Sequence, residues 1–469
     1  RGAAAGGPGP ARRGGGGRAP GGAAPRRLSV PRRARRWSPI PRPRAGRRLP
    51  RHLQAAFVGV RSRALPDGLA DPGFADLLQE IDEGPVHRGN RVRVFTRGEE
   101  AFAAMREAIA SARREVLVES YIWRDDVTGR ALLDDLARAA ARGVTVRALA
   151  DALGSFGTRR EFWREMERRG IEARRFHPLV RGLWNQVFRD HRKILVVDRR
   201  VGFTGGMNIG EEYGSFPSRP GRKAASPPPA PAGTHEDAAV RAWRDTHVRV
   251  EGPVAWEMAV VFAEGWERAR GEPFALEPLE VSGAGADGAR ILVLDARPRR
   301  GYAEAAAVLT AIVAAARHRV WITNAYFAPR LAAVRILGAA VREGVDVRLL
   351  LPGTTDVPLV RHAGHGYYRA LLEHGVRIFE YRESILHAKS MVADGYAAVI
   401  GSTNLDFRSF HFNAECNLVI LDPATGRHLE EAFEEDLLGA EEITLEAWGR
   451  RGTLHRLGDR AARWLSPLL

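Results

Sequence analysis

The sequence has very little cysteine: Cys416 is the only one in 469 residues. An intrachain disulfide is therefore excluded, and so is a zinc site built on several thiolates. Long apolar runs are missing too. A spanning helix needs about 18 or more consecutive apolar residues. The most apolar helical stretch here, AAAVLTAIVAAA at 305–316, is short and flanked by Glu304 and Arg317. It reads as a buried core helix. Acid is absent from residues 1–50, which hold 14 Arg and no Lys. Large apolar side chains are scarce there, so the segment cannot offset its ordering entropy. It is expected to be a disordered leader, the alternative being an electrostatic arm for anionic lipid or nucleic acid.

What is present is a nearly neutral body. The formal charge is +16, from 72 basic and 56 acidic residues. Setting aside the 14 leader arginines leaves 58 basic against 56 acidic residues, a surplus of only 2. A nucleic-acid groove normally carries a basic patch, so an obligatory nucleic-acid partner is not expected. From about residue 92, β-rich runs alternate with amphipathic helical runs that stop at glycine, as in GRALLDDLARAAARG before VTVRALAD. The second half repeats the order with RILVLD, an Ala-rich helix, VWITNAYFA, RLAAVRILGAAVREG and VDVRLLLPG. This is an internal duplication of a βαβ-type unit, with sheets covered by helices. The expected organisation is a helical extension at 51–90, one unit at 91–275, a second at 276–450 and an amphipathic segment at 451–469. A Pro-rich surface insertion is expected at about 215–239 in the first unit.

Both units contain the pattern H-x-K-x4-D-x6-G-[GS]-x-N, at His191–Asn208 and again at His387–Asn404. A single H-x-K would be noise; the doubled pattern at identical spacing is specific. On a strand, residues i and i+2 share a face, so His191 projects with Lys193 and His387 with Lys389. Two such pairs meeting across a pseudo-twofold axis suit a phosphodiester. The ammoniums stabilise phosphate charge. One neutral imidazole attacks phosphorus while the other, protonated, protects the leaving alkoxide by giving it a proton. No metal and no cofactor is called for. Gly206 and Ser402 lie in tight turns near the phosphate, and Asn208 and Asn404 are candidate donors to its oxygens. Asp245 and Glu415 each lie eight residues before a matching proline, Pro253 and Pro423. They are candidates to orient the imidazoles. Asp198 and Asp394 complete the motif and are grouped with the catalytic set, with structural hydrogen bonds or ion pairs as the open alternative.

The doubled motif resembles that of the phospholipase D superfamily. The stretches ESYIWRDD, GFTGGMNIG, WRDTHVRVEGP, ITNAYFAP and GSTNLDFRSFHFNAECNLVI are similar to those of bacterial cardiolipin synthases. The resemblance implies an α/β fold of two duplicated phospholipase D-like domains, each a mixed β-sheet flanked by helices, packed around one shared active site. It implies transfer of a phosphatidyl group through a phosphohistidine intermediate, with phosphatidylglycerol or phosphatidylethanolamine as donor. A phospholipid hydrolase or nuclease using the same two histidines is the alternative, since fold alone does not choose. The expected location is peripheral, on the cytoplasmic face of a bacterial inner membrane. The C-terminal GTLHRLGDRAARWLSPLL either meets an anionic bilayer as an interfacial helix or docks on the body. Tyr121 and Tyr326 line a lipid entrance or pack in the core. His362, His365 and His374 are expected to be solvated or cleft-lining, with a metal cluster as the alternative, and Cys416 is a buried small residue.

Overall fold

A computed structural model describes residues 49–176, 188–214, 242–276, 288–297 and 301–452, together with 455, 458, 459, 461 and 462. The Arg-rich leader up to residue 48 and the expected Pro-rich insertion lie outside the described residues, as does most of the segment after 452. Among the described residues the first half supplies β1 (Val86–Phe95), β2 (Glu115–Ser120), β3 (Thr145–Asp151), β4 (Glu172–Phe176), β5 (Arg189–Asp190), β6 (Lys193–Val197), β7 (Val201–Gly205) and β8 (His247–Glu251). The second supplies β9 (Ala289–Ala296), β10 (Arg319–Asn324), β11 (Asp346–Pro352), β12 (Arg377–Tyr381), β13 (Lys389–Ala393), β14 (Ala397–Gly401), β15 (Asn413–Leu421) and β16 (Ala440–Ile443).

Apart from β5, which pairs with β15, the strands form one continuous path in which β9 meets β1. Reading outward from that junction, the first half runs β1-β8-β7-β6-β2-β3-β4 and the second β9-β15-β14-β13-β10-β11-β12, with β16 at the far edge. The two orders correspond strand for strand, which is the duplication made visible. Each half is mixed: β2, β3 and β4 are parallel, as are β10, β11 and β12, while β6 and β13 run antiparallel to β2 and β10.

The sequence explains why these strands sit inside. EVLVES of β2 and NAECNLVIL of β15 are buried at every position, as strands covered on both faces must be. Alternation then sorts side chains between cores. Ile194 and Val196 of β6 enter a core shared by both halves, with Val392 and Ile400 from the second. Leu195 and Val197 instead join a core under the helices Gly98–Ser111 and Val127–Ala141. Met391 and Ala393 of β13 join the corresponding core under Tyr302–Ala315 and Leu331–Arg342. Local signals set the helix ends. Asp126 accepts from the Gly129 N–H at 2.8 Å at one start. Gly143 (φ 86°) and Gly344 (φ 89°) turn the chain left-handed after the two corresponding helices, a conformation that glycine adopts without steric cost.

Candidate active site

The four motif residues are brought together in one buried cluster: His191, Lys193, His387 and Lys389 are each at most 8% exposed. The local geometry differs from the expected strand placement. Lys193 and Lys389 are the first residues of β6 and β13, so each histidine stands two residues ahead of its strand. The other half holds it there. The His191 N–H donates to the Ala414 carbonyl at 2.9 Å, and the His387 N–H to the Arg244 carbonyl at 2.8 Å. Ala414 and Arg244 immediately precede the two candidate orienting acids, Glu415 and Asp245.

The orienting pairs therefore cross between halves. His191 Nδ1 lies 3.1 and 3.0 Å from the two Glu415 oxygens. His387 Nδ1 lies 2.7 Å from Asp245 Oδ2. Both carboxylates are fully buried. Holding Nδ1–H on a carboxylate fixes the tautomer and leaves Nε2 to react. Aromatic rings pack on each imidazole: Tyr121 on His191 with centroids 4.9 Å apart, and Tyr326, Tyr213 and Trp243 on His387 at 5.9, 5.5 and 5.4 Å. Both tyrosines that the sequence left between entrance and core thus wall the site. Tyr213 lies in none of the family-like stretches and Trp243 opens one, WRDTHVRVEGP, but only the fold places either ring on His387.

Burial dominates the electrostatics. It lowers the His191 pKa, against Glu415, which raises it. It pushes His387 well down, helped by Lys389, whose Nζ lies 2.9 Å from His387 Nδ1. Lys193 is lowered to about 7 by burial, opposed by Glu415, and Lys389 to about 8, opposed by Asp245. Asp245 is raised to about 6, again by burial. The cluster is a desolvated cationic site whose lysines gain charge stability when an anion enters. Each ammonium is aimed by its own motif. Lys193 Nζ donates to the His191 carbonyl at 2.6 Å, and Lys389 Nζ to that of His387.

Other motif residues have different positions from those expected. Asp198 and Asp394, grouped with the catalytic set from sequence, lie at turns after β6 and β13 with φ of 50° and 51°. Asp198 accepts the N–H groups of Arg113, Arg114 and Glu115 at 2.9, 2.7 and 2.9 Å; Asp394 accepts those of Arg317, His318 and Arg319, each at 2.8 Å. They fasten the loops entering β2 and β10, which is a structural use. Asn208 is engaged at both ends of its amide, by the Ile122 N–H and the Tyr213 hydroxyl. The Gly206 N–H donates to the Thr246 carbonyl, and a Cβ at Gly206 would lie 2.1 Å from Asp245 Oδ1. The Ser402 hydroxyl donates to Glu415 Oε2 at 2.5 Å. Gly206 and Ser402 thus shape the orienting carboxylates rather than present donors to a ligand. Asn404 is buried with its amide oxygen unpartnered among the described residues; that atom is an acceptor, open to a ligand's hydroxyl rather than to a phosphate oxygen.

Elsewhere, His362, His365 and Asp459 place ligand atoms within 4.8 Å of one another and could hold a metal ion. Arg451 already pairs with Asp459, and Glu380 with His365 Nε2, so the group also serves as a clasp on the C-terminal segment. Cys416 is fully buried, its thiol pushed up by burial. No helix among the described residues is long and apolar enough to cross a membrane.

Residues 105–214 and 309–437 match the family described as "Cardiolipin synthase, PLD-like domain". The chain is 36% identical over 397 residues to cardiolipin synthase A of Pseudomonas aeruginosa, covering 84% of this chain and 76% of that one. It is 33% identical over 422 residues to a cardiolipin synthase of a Geobacillus species, covering 88% and 80%. The crystal structure of phosphatidylserine synthase from Haemophilus influenzae matches with a TM-score of 0.61 at 14% identity, over 85% of this chain and 99% of that one. That last likeness is one of fold.

Proposed function

The chain belongs to the phospholipase D-like cardiolipin synthase family, and on that premise we propose that it is a phosphatidyltransferase making cardiolipin from phosphatidylglycerol through a phosphohistidine. The observation that carries the mechanism is the crossed pairing of each motif histidine with the carboxylate of the other half. Neither half alone can orient its own imidazole, so the two motifs act as one site.

In the first step, Nε2 of one histidine attacks phosphorus of the donor lipid. The bond from phosphorus to the glycerol headgroup oxygen breaks. The other histidine, protonated, gives that oxygen its proton, and glycerol leaves. The second histidine, now neutral, takes the proton from a hydroxyl of another phosphatidylglycerol. That oxygen attacks phosphorus, the bond to the histidine breaks, and cardiolipin is released. Lys193 and Lys389 bind the phosphate oxygens throughout, in a buried site where such contacts are strong. Glu415 and Asp245 stabilise whichever imidazole carries the second proton.

A membrane surface is the source of both lipids. Leu153, Phe156, Leu331, Val357 and Leu359 are five of the eight large exposed apolar side chains among the described residues, and Phe156 is 73% exposed. Each lies in a segment leaving the C-terminal end of β3, β10 or β11; Lys389 pairs with Asn324 at that end of β10, and Lys193 with Ser120 at the same end of β2, the parallel neighbour of β3. Apolar side chains ringing a phosphate site suit a rim that enters the interface while the body stays outside, a peripheral mode of attachment. The cytoplasmic face of the inner membrane, where phosphatidylglycerol is at hand, is the proposed location.

The test supplies phosphatidylglycerol vesicles to purified protein. Cardiolipin and free glycerol in equal amounts are expected. Phosphatidic acid without cardiolipin would make the protein a hydrolase; inert lipid with cleaved DNA would make it a nuclease.

A further inference from the structure

Beside Lys389 the second half holds an apolar cavity of about 160 Å3. It lies between the sheet and the helices Tyr302–Ala315 and Leu331–Arg342, on the face to which Lys389 and Met391 both point. Its walls are mainly Ala306, Leu309, Val313, Ala333, Ile336 and Phe327, and Leu53 of the helix Arg51–Ser62 adds to them. Polar groups occur at its active-site end, where Lys389, Asn324, Asp406 and Asn417 contribute.

The first half has a corresponding cavity beside Lys193, but it measures only about 30 Å3. The two line up residue by residue. The helices Gly98–Ser111 and Tyr302–Ala315 both have 14 residues and precede equivalent strands. Counting from their first residues, Phe102 corresponds to Ala306 and Met105 to Leu309. The Phe102 ring, 1% exposed, lines the small cavity at the position where the Ala306 methyl lines the large one. Elsewhere in the duplication the halves keep matching groups for the chemistry; here one core is plugged and the other is hollow.

We propose that the second-half cavity binds an acyl chain of the phospholipid whose phosphate sits on Lys389, so that lipid is held asymmetrically although the catalytic groups are duplicated. This rests on the proposed lipid function and deepens it. A hydrocarbon-lined cavity of about this size takes a group of roughly benzene's bulk, the first several methylenes of a chain. Lys389 contributes to its wall, so the cavity borders the phosphate site, and the proposed lipid would span the two. Each buried methylene is worth about a fourfold factor in affinity. Three of them outweigh a surface contact of the headgroup.

The experiment copies the plug across. Ala306→Phe gives the second half the residue that the first half already packs, and Ala333→Leu fills the same cavity from the neighbouring helix. Calorimetric titration compares dioctanoyl phosphatidylglycerol, kept below its micelle concentration, with its deacylated glycerophosphoglycerol headgroup. Both variants should weaken dioctanoyl binding by about tenfold or more and leave headgroup binding and the melting curve of at least one variant unchanged. Equal weakening of both ligands, or of neither, in a variant that melts like the parent would overturn the proposal. The two readings fail separately. Parent protein that binds the acylated ligand tightly yet forms no cardiolipin removes the proposed function and leaves the cavity's role. Cardiolipin synthesis with unchanged acyl-chain affinity in both plugged variants removes the cavity's role and leaves the function.

Discussion

The two halves of the molecule share strand order, motif and loop fastening, yet they diverge in the space around the motif. Lys193 and Lys389 begin equivalent strands, Asp198 and Asp394 accept three N–H groups each, and each histidine leans on the other half's carboxylate. Against that, Phe102 closes one cavity where Ala306 opens the other, and Ser402 donates to Glu415 where Gly206 merely makes room for Asp245. The proposed mechanism needs two similar imidazoles, one to take phosphorus and one to move a proton. That requirement conserves symmetry at the centre. A donor lipid and its acceptor are oriented differently on one phosphorus, so nothing keeps their surroundings alike.

The largest expected effect tests whether both halves are needed. His191→Ala and His387→Ala should each lower kcat for cardiolipin formation by about 10³-fold or more, since each removes an attacking or proton-transferring group. Far-ultraviolet circular dichroism would verify that the fold remains. A variant that keeps near-parental turnover would mean one half suffices.

Next in size is the crossing itself. Glu415→Gln and Asp245→Asn should each reduce kcat by roughly 10- to 100-fold, as loss of an orienting partner does. The sharper measurement is a double-mutant cycle. Glu415→Gln should add little in a His191→Ala background but nearly its full effect in His387→Ala. The reverse pattern would mean that each carboxylate serves its own half.

A smaller effect separates the two lysines by pH. Their ammonium forms are populated below about 7 for Lys193 and about 8 for Lys389. Raising the pH through that window removes the charge that attracts the phosphate, so KM should rise by about tenfold per unit above it. The effect on kcat should be smaller, because bound phosphate restores both ammoniums. Lys193→Met should delete the lower inflection of the KM profile and Lys389→Met the upper; identical profiles would remove the distinction.

The smallest effect concerns stability. Asp198→Ala and Asp394→Ala each strand three N–H groups at a loop and should cost roughly 1–3 kcal/mol, read from urea midpoints. The costs should be similar in the two halves. A large fall in kcat at unchanged stability would return these aspartates to the catalytic set.

The legible part of the site was the part written locally. The doubled spacing identified His191, Lys193, His387 and Lys389, and equal distances to Pro253 and Pro423 singled out Asp245 and Glu415. The mixed α/β architecture followed from alternating β-rich and helical runs. For Asp198 and Asp394 the motif left catalysis and structural hydrogen bonds both open, because a residue at fixed spacing is equally demanded by a fixed turn; the structure shows the hydrogen bonds. At Asn208 the motif misled, since Tyr213 occupies its amide from only five residues on.

Sequence by itself determined which chemical groups the protein owns and that it owns them twice, because a repeated motif and the two-residue period of a strand are properties of neighbouring positions. Only the tertiary structure decided that Glu415 belongs to His191 and Asp245 to His387, and that one lysine faces a hollow core while its counterpart faces a full one. Those facts depend on distances between residues far apart in the chain, 224 positions for His191 and Glu415 and 142 for His387 and Asp245. Such distances are set by how two sheets join at β1 and β9, and no local pattern encodes them.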